Sequence, residues 1–360
     1  MVTLDDLGWS SRFDAAFDSH RAAGLVPARV SLEHTHIYRV LTPEGERLAR
    51  ISGRLRHHAM ERADFPVVGD WVAIDPPSPS ADARIRAVLP RFSRFSRRAS
   101  GDVTEEQVIA ANIDVVFLVS GLDGDFNPRR IERYLLTAWD TGASPVIVLN
   151  KTDLVDDPQA FVEEVEVAAQ GVPVVAVSAR RPETMGVLRN RLGRGRTGAL
   201  LGSSGVGKSS IVNALIGEEL LRTRDVRIAD SRGRHTSTSR QMILLPEGGI
   251  LIDTPGLREI QLWDTGEGLA GAFADIEALA ESCRFRDCRH DTEPGCAVTE
   301  AVADGRLDAG RLESYRKLQL EQQFRVRQQD VHAQLEQKRR FKILTKAANR
   351  HIREKREGPA

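Results

Sequence analysis

The order of two short motifs constrains the fold of this 360-residue chain more than any other feature. Asn150, Lys151 and Asp153 form an Asn-Lys-x-Asp sequence directly after the apolar run 145–149. A glycine-rich sequence, Gly-Ser-Ser-Gly-Val-Gly-Lys-Ser at 202–209, comes later in the chain. In guanine-nucleotide switch proteins the glycine-rich motif precedes the base-reading motif. The reversed order predicts a circularly permuted version of that fold.

The glycine-rich motif matches the phosphate-loop pattern and lies between a predicted strand, 198–201, and a predicted helix. Its backbone N–H groups would surround phosphates, Lys208 would reach the outer phosphates, and Ser209 would bind magnesium. The alternative, a simple Gly/Ser turn before a helix, is disfavoured by this context. The predicted nucleotide contacts are Gly202, Ser203, Ser204, Gly205, Val206, Gly207, Lys208, Ser209 and Ser210.

A second phosphate-side motif, Asp-Thr-Pro-Gly at 253–256, ends the apolar run 250–252. Asp253 would hold magnesium through water, and the Gly256 amide would contact the terminal phosphate. A strand followed by a Pro-Gly turn is the structural alternative. The position of this motif after a phosphate loop favours the magnesium and switch interpretation.

The Asn-Lys-x-Asp motif predicts selection of guanine. Asp153 would accept hydrogen bonds from the N1 and N2 donors of guanine, an arrangement that adenine lacks. Asn150 would bind the acceptor edge of the base and Lys151 would pack over the ring. Ser178 and Ala179 end the next apolar run and would contact the guanine oxygen through their backbone. This dipeptide is common, so the prediction depends on its place after that strand.

Apolar runs alternate with helical segments through the middle of the chain, which predicts a doubly wound, mostly parallel α/β sheet with the ligand at the strand carboxyl ends. The predicted helices are 129–141 and 158–170. The predicted strands are 113–119, 146–149, 174–177, 199–201, 242–245 and 250–252.

All three cysteines of the chain lie close together, at Cys283, Cys288 and Cys296, with His290 among them. Three thiolates and an imidazole suit tetrahedral zinc with no open coordination position. The alternative is a set of buried free thiols beside a surface histidine. The odd number of cysteines argues against disulfides and for a reducing compartment.

Two segments are rich in basic residues although the formal net charge is zero. Residues 84–98 hold six arginines and no acidic residue, interleaved with Phe92 and Phe95, a pattern that suits RNA phosphates and bases. From 311 onward there are fourteen Lys or Arg against six Asp or Glu, a net of +8. A solvated linker and a solvated helical face remain the respective alternatives.

Taken together, these motifs resemble the ribosome small-subunit-dependent GTPase A family (RsgA, also called YjeQ). The similarity extends roughly over 35–300 and includes segments 68–72, 107–114, 126–135 and 233–238 besides the nucleotide and cysteine motifs. The short β-rich pieces at 37–41, 47–51 and 70–75 indicate only a small β domain by themselves. The resemblance implies that this domain is an OB-fold, a common RNA-binding barrel, and that the cysteine cluster holds one structural zinc.

The resemblance therefore implies a circularly permuted P-loop GTPase domain flanked by an N-terminal β-barrel and a C-terminal helical zinc-binding domain. The expected parts are a leader at 1–33, an OB-fold RNA-binding domain at 34–103, the GTPase domain at 104–265, and a zinc-binding domain with a basic helical tail at 266–360.

The group that orients the attacking water is not the usual one in this sequence. Many GTPases place a water-orienting glutamine after Asp-x-x-Gly, but Leu257 stands there. We hypothesise that Thr236 closes on magnesium and the terminal phosphate, and that His235 orients the water when the ribosome orders this loop. The family assigns a histidine here a similar candidate role. In the alternative, His235 contacts RNA or only shapes the switch.

The leading functional prediction is a GTPase stimulated by the small ribosomal subunit in late maturation of that subunit, with GTP favouring binding and hydrolysis favouring release. The alternative is an RNA-binding assembly factor for which turnover is incidental; a weaker one is a permuted GTPase acting on the large subunit or another RNA. The implied ligands are GTP, magnesium and zinc, and the implied partner is the subunit with its rRNA. With no visible signal peptide or membrane segment, we expect a cytoplasmic protein. Nothing in the sequence demands a dimer, so we expect a monomer.

Overall fold

The structure, a computed structural model, describes residues 2–34, 37–76, 82–98, 106–124, 126–169, 171–217, 241–253, 273–291, 293–313, 315–316 and 319. It divides into two compact units: residues 1–98 with 105–278, and residues 99–104 with 279–360. Within the part of the chain that is described, no helix combines the length and apolar character needed to cross a membrane.

Strands and helices alternate between residues 115 and 216, whereas the part of the first unit before residue 115 consists mostly of strands. The strands are β1 Val26–His34, β2 Ile37–Thr42, β3 Gly45–Ile51, β4 Trp71–Ile74, β5 Ala83–Val88, β6 Arg94–Arg98, β7 Glu106–Ala111, β8 Val115–Gly121, β9 Ser144–Asn150, β10 Val174–Ala176, β11 Thr197–Leu201, β12 Gln241–Leu244 and β13 Ile250–Asp253. The helices are α1 Ser11–Ala22, α2 Gly53–His58, α3 Pro128–Asp140, α4 Pro158–Ala168, α5 Gly186–Leu192, α6 Lys208–Ile216, α7 Ala274–Ala280 and α8 Ala297–Ala303.

The carboxyl-terminal half of the first unit is the predicted doubly wound sheet. Its strand order is β10-β9-β8-β11-β13-β12, and every neighbouring pair is parallel except β12 with β13. These strands read as continuous apolar runs because both faces of a parallel sheet are covered. One hydrophobic cluster, containing Val116, Ile147 and Ile252, and a second, containing Phe117, Val148 and Leu251, fill the core.

The amino-terminal half of the first unit is a small barrel. Its strands follow the order β1-β2-β3-β5-β4, and β4 closes the barrel by pairing antiparallel with β1. The first barrel strand begins at Val26 and helix α1 precedes it. The expectation that 1–33 is only a leader is therefore wrong: Phe13 and Phe17 of α1 are buried beside Trp71 of the barrel.

The barrel and the parallel sheet form one continuous sheet rather than two separate layers. Strand β1 pairs antiparallel with β12, with Leu32 opposite Gln241. The sequence analysis predicted a domain boundary between residues 103 and 104. In the structure the barrel and the parallel sheet belong to one compact unit. The physical reason is that backbone pairing and a buried polar junction connect them.

Arg29 forms the centre of that junction. Its side chain is 1 % exposed, and its guanidinium donates to the carbonyl oxygens of Leu7, Gly69 (3.2 Å) and Asn112 (3.0 Å) and to Thr197 Oγ1 (2.8 Å). These acceptors come from the amino-terminal segment, the loop before β4, the segment between β7 and β8, and the start of β11. A buried guanidinium needs such partners because an unsatisfied buried charge is very costly.

Candidate nucleotide site and cysteine cluster

The predicted nucleotide motifs meet at one edge of the parallel sheet. Strands β8, β9, β11 and β13 are mutually parallel neighbours, so their carboxyl ends lie along the same edge. The phosphate loop follows β11, the Asn-Lys-x-Asp motif follows β9, and Asp253 ends β13. This is the edge at which open α/β sheets bind ligands. Circular permutation changes the connections between these strands without changing the edge.

The phosphate loop has the backbone shape that its glycines allow. Gly202 has φ +152° and Gly207 has φ +96°, and a Cβ atom at Gly207 would lie 2.3 Å from Asn150 Nδ2. Helix α6 begins at Lys208, so the loop runs into a helix N-terminus. Lys208 Nζ donates to the carbonyl oxygens of Gly202 (2.6 Å) and Ser203 (2.5 Å), which holds the ammonium over the loop.

Asn150 connects three predicted nucleotide segments. Its Nδ2 donates to the carbonyl oxygen of Val206 at 2.8 Å, and its Oδ1 accepts from the backbone N–H of Ala179 at 3.1 Å. The side chain is almost fully buried. Asn150 thus fixes the phosphate loop and the Ser178–Ala179 turn relative to β9. A direct contact of its second amide N–H with the base stays a prediction.

Asp153 is prepared to act as a carboxylate. Its Oδ1 accepts from Ser178 Oγ at 2.6 Å, and Arg180 lies 3.5 Å from its Oδ2. The Ser178 hydrogen bond is the main reason that the pKa of Asp153 lies below its ordinary value; partial burial opposes this, and the charge of Arg180 adds to it. An ionised carboxylate accepts hydrogen bonds only, which suits the N1 and N2 donors of guanine.

The backbone N–H groups of the Ser178–Ala179 turn already donate hydrogen bonds to other groups of the protein. Ser178 is fully buried, its backbone N–H donates to Thr184 Oγ1 at 3.0 Å, and the N–H of Ala179 donates to Asn150. A backbone contact from this pair to the guanine oxygen therefore stays a prediction. The role that the structure supports is the hydrogen bond from the Ser178 hydroxyl to Asp153.

Lys151 is held by a partner that sequence analysis missed. It adopts a left-handed backbone conformation, φ 69°, and its Nζ forms a short ion pair with Asp123. Asp123 follows β8, and a Cβ atom on Gly121 would lie 3.1 Å from its Oδ1. The signal in the sequence was an acidic residue just beyond an apolar strand at the ligand-binding edge. Asp123 positions the Lys151 stem, which is the part predicted to cover the base ring.

The magnesium prediction is only partly covered by the described residues. Ser209 is half-buried in the first turn of α6, and Asp253 is half-buried at the end of β13. The other predicted residues of the switches, Thr236 and His235 together with Gly256 and Leu257, lie outside the described part of the chain. The magnesium set and the catalytic role of His235 stay predictions.

The cysteine cluster lies in the second unit and has the geometry of a four-ligand site. One ligand atom from each of Cys283, Cys288, His290 and Cys296 lies within 4.8 Å of all the others. His290 Nδ1 is 3.6 Å from Cys283 Sγ and 3.5 Å from Cys296 Sγ, and these two sulfurs are 3.9 Å apart. Tetrahedral zinc with Zn–S bonds of about 2.3 Å requires S–S separations of about 3.8 Å. The donor set and its spacing therefore fit zinc.

The buried cysteine of the cluster favours its metal-binding form. Burial by itself raises the pKa of Cys296, but hydrogen bonds with Thr299 and the contact with His290 outweigh burial and lower the pKa to about 6. The backbone N–H of Thr299 donates to Cys296 Sγ at 3.4 Å, at the start of α8. Burial raises the pKa of the neighbouring Cys288 to about 11, so the ligand assignment rests on the donor types and their distances.

The arginine-rich segment 84–98 has a different arrangement from the predicted RNA surface. Phe95 is fully buried in the core, so it cannot stack on a base, which corrects the prediction. Arg91 is a structural residue: it donates to both carboxylate oxygens of the fully buried Asp70, at 2.7 and 2.8 Å. Arg84 and Arg94 are exposed, because alternate residues of a strand face opposite sides.

Comparison with known proteins relates the site to a family. Residues 88–263 match the family model described as RsgA GTPase. The chain is 47 % identical to a protein of Opitutus terrae and 41 % identical to one of Syntrophotalea carbinolica, over 99 % of this chain in both cases and over 99 % and 100 % of those proteins. Both relatives are named small ribosomal subunit biogenesis GTPase RsgA.

Solved structures give the same result for the fold. The crystal structure of YjeQ from Thermotoga maritima matches with a TM-score of 0.62 and 27 % identity, covering 82 % of this chain and 98 % of that one. YloQ, described as a circularly permuted GTPase, matches with a TM-score of 0.64 and 24 % identity over 84 % and 96 %. The permuted order of the motifs and the predicted fold class are therefore confirmed.

Proposed function

The chain belongs to the RsgA GTPase family and is a GTPase, and we propose that its GTP hydrolysis serves late maturation of the small ribosomal subunit. The names of its relatives support a role in small-subunit biogenesis. The convergence of Asp153, Asn150 and Lys208 at one sheet edge is the observation that supports GTP as the substrate. Stimulation by the subunit, and release of the protein after hydrolysis, are parts of the proposal.

In the proposed mechanism the site first selects GTP and then positions its phosphates. Asp153 pairs with the N1 and N2 donors of guanine while Ser178 holds the carboxylate in place. The loop amides from 203 to 208 and Lys208 surround the phosphates. Ser209 and Asp253, with Thr236, would hold magnesium, which neutralises charge on the phosphates when bound. The residues of this chain then act mainly by orienting the terminal phosphate.

The attacking water needs an orienting group, and Leu257 cannot supply a hydrogen bond. We assign that role to His235, which precedes the proposed magnesium residue Thr236. The small subunit would order this segment and so raise turnover. A His235→Ala variant that keeps normal subunit-stimulated turnover would remove His235 from this role.

The barrel and the cysteine cluster are proposed to contact ribosomal RNA. Two exposed cationic side chains, Arg84 on barrel strand β5 and Arg94 on β6, the next strand in the sequence, support phosphate contacts. The cluster of Cys283, Cys288, His290 and Cys296 would hold one structural zinc, since no coordination position remains for chemistry. In this proposal the protein acts as a cytoplasmic monomer, and the GTP state controls how tightly these RNA-contacting surfaces hold the subunit.

A second candidate function is a nucleotide-gated RNA-binding assembly factor whose turnover is incidental. Leu257 favours it, because an apolar residue in the usual water-orienting position slows basal hydrolysis. The weaker alternative, a permuted GTPase acting on the large subunit, predicts a different particle preference.

The decisive experiment is GTP turnover with purified small subunits, with large subunits as the control. We expect a strong rise with small subunits only. Tight GTP binding without any rise would favour the nucleotide-gated factor, and a rise with large subunits alone would overturn the proposed partner.

A further inference from the structure

Helix α3 contacts the phosphate loop through two side chains that the nucleotide motifs do not include. Arg130 Nη1 donates to Ser203 Oγ at 2.8 Å, and the hydroxyl of Tyr134 lies 3.2 Å from the same oxygen. Arg130 and Tyr134 are four positions apart, so they lie on the same face of the helix. A cation and a phenol thus converge on one hydroxyl group of the loop.

The helix that presents these side chains is firmly anchored. Asn127 caps its first turn by accepting from the backbone N–H of Arg130 at 3.3 Å, and Pro128 occupies the first helical position. Ile131 and Leu135 are buried in the core beneath the sheet. Side chains on such an element hold their partners more accurately than side chains on a loop do.

Ser203 is also the residue through which the loop holds its lysine. The carbonyl oxygen of Ser203 accepts from Lys208 Nζ at 2.5 Å, while its hydroxyl contacts Arg130 and Tyr134. The next two residues, Ser204 and Gly205, are exposed at the tip of the loop. Ser203 is therefore the point at which α3 can fix both the backbone of the loop and the direction of Lys208.

We propose that Arg130 and Tyr134 are positioning residues for GTP hydrolysis, acting through Ser203 on the phosphate loop and Lys208. This inference rests on the proposed GTPase mechanism and adds residues that no nucleotide motif contains. The loop amides stabilise charge on the phosphates only when they are fixed before the reaction, because reorganising them costs activation free energy. The guanidinium bond is the stronger of the two contacts since its donor is charged.

The test is a double-mutant cycle in the full-length protein, comparing Arg130→Gln, Ser203→Ala and the double variant. Each single variant should lower kcat for GTP about tenfold, the effect of one charge-assisted hydrogen bond. Because both act through one contact, the double variant should also lose about tenfold rather than a hundredfold. Tyr134→Phe should lose less, and Arg130→Lys should recover part of the loss.

If Arg130 only stabilised the fold, Arg130→Gln would lower the thermal midpoint and GDP affinity together with kcat. The positioning role predicts that kcat falls while the other two quantities change little. We expect GDP affinity to stay within about threefold of wild type, and the thermal midpoint to change by only a few degrees. Arg129→Gln, which removes an exposed arginine from the same helix, is the matched control and should keep normal kcat.

Three results would overturn the inference. They are an unchanged kcat in Arg130→Gln, losses that multiply in the double variant, or a loss in Arg130→Gln that only follows unfolding. If the protein were not a GTPase, wild type and Lys208→Ala would show the same GTP turnover. That result is distinguishable from the three above. In that case GTP affinity is the second readout, and an affinity that Arg130→Gln leaves unchanged overturns the role of α3.

Discussion

The nucleotide edge and the barrel junction are both networks of buried polar groups that connect distant segments, but they are completed differently. At the junction, Arg29 is 1 % exposed and donates to acceptors from four segments of the protein. At the nucleotide edge, the Asp153 side chain is 15 % exposed and accepts from Ser178 at one oxygen. The junction satisfies its charge within the protein, whereas the edge keeps groups for a ligand.

The protonation states follow the same division. Burial lowers the pKa of Arg29 to about 10, with Asp114 and Asp70 opposing that shift, so the guanidinium stays charged at neutral pH. The hydrogen bond from Ser178 lowers the pKa of Asp153, which keeps that carboxylate ionised. Substitutions at the junction should therefore change stability and leave chemistry intact. Substitutions at the edge should do the reverse.

The largest expected effect is at the edge. Lys208→Ala removes the charge that faces the outer phosphates and should lower single-turnover GTP hydrolysis by about a thousandfold or more. Its free energy of unfolding, measured in urea, should change by less than about 1 kcal/mol, because the hydrogen bonds that Lys208 donates to Gly202 and Ser203 lie within the phosphate loop itself. A large loss of stability with residual turnover would break the division between the two regions.

The junction should show the opposite pattern. Arg29→Met removes the donors of the buried carbonyl groups of Leu7, Gly69 and Asn112 and should lower the free energy of unfolding by about 3 to 5 kcal/mol. In protein that remains folded, kcat should stay within about twofold of wild type, because Thr197 and the phosphate loop lie at opposite ends of β11. Urea unfolding and single-turnover kinetics measure the two quantities.

Arg39→Met is the matched control for the junction. Arg39 is half-exposed and lies 3.6 Å from Glu46, so its loss should change stability by less than about 1 kcal/mol. Equal destabilisation by the two substitutions would show that Arg29 has no special role.

The same contrast explains which features could be predicted from the sequence. The phosphate loop and the Asn-Lys-x-Asp motif are each a single short stretch of sequence. Strand periodicity and residue chemistry were therefore enough to place both motifs at one edge of the sheet. The junction connects segments far apart in the sequence, and no local pattern indicates that Arg29 and Asn112 meet. Strand β1 was missed for a related reason, since Pro27 and a buried arginine interrupt its apolar pattern.

Residues 84–98 show where local pattern reading was wrong in part, at Phe95 and Arg91. Arginines between phenylalanines suggested a stacking surface for RNA, yet Phe95 faces the core opposite Ala110 of β7. Arg91 forms an ion pair with Asp70, a contact that depends on the antiparallel pairing of β4 with β5. Composition did not distinguish cations that face solvent from cations that satisfy the interior.

The next largest expected effect is a change in nucleotide specificity at the nucleotide edge. Asp153→Asn keeps the shape of the side chain but replaces one acceptor oxygen with a donor, and should weaken GTP binding about a hundredfold. The same amide can donate to the C2 oxygen of xanthine, so affinity for XTP should rise. Fluorescence titration with both nucleotides checks this. Equal weakening for both would mean that Asp153 acts through loop structure rather than base pairing.

The smallest effect concerns the hydrogen bond between Ser178 and Asp153. That bond is the main cause of the lowered pKa of Asp153, so the contribution of the carboxylate is present above pH 3.8 and is lost only below it. In Ser178→Ala the pKa rises towards or above the ordinary value, because partial burial then acts without its main opponent. GDP affinity should fall only about two- to fivefold at pH 7, and should decline at higher pH than in wild type on acidification.

Titration of GDP binding from neutral pH to below pH 3.8, together with NMR titration of the carboxyl groups, measures both parts of that prediction. Arg180→Gln is the control, since Arg180 lies 3.5 Å from Asp153 but its own side chain is 78 % exposed. Solvent screening makes such a pair weak, so its profile should stay close to wild type. If the Ser178→Ala and wild-type profiles run parallel, the Ser178 bond only orders the turn. The lowered pKa of Asp153 in the ligand-free protein would then no longer be a difference between the nucleotide edge and the junction.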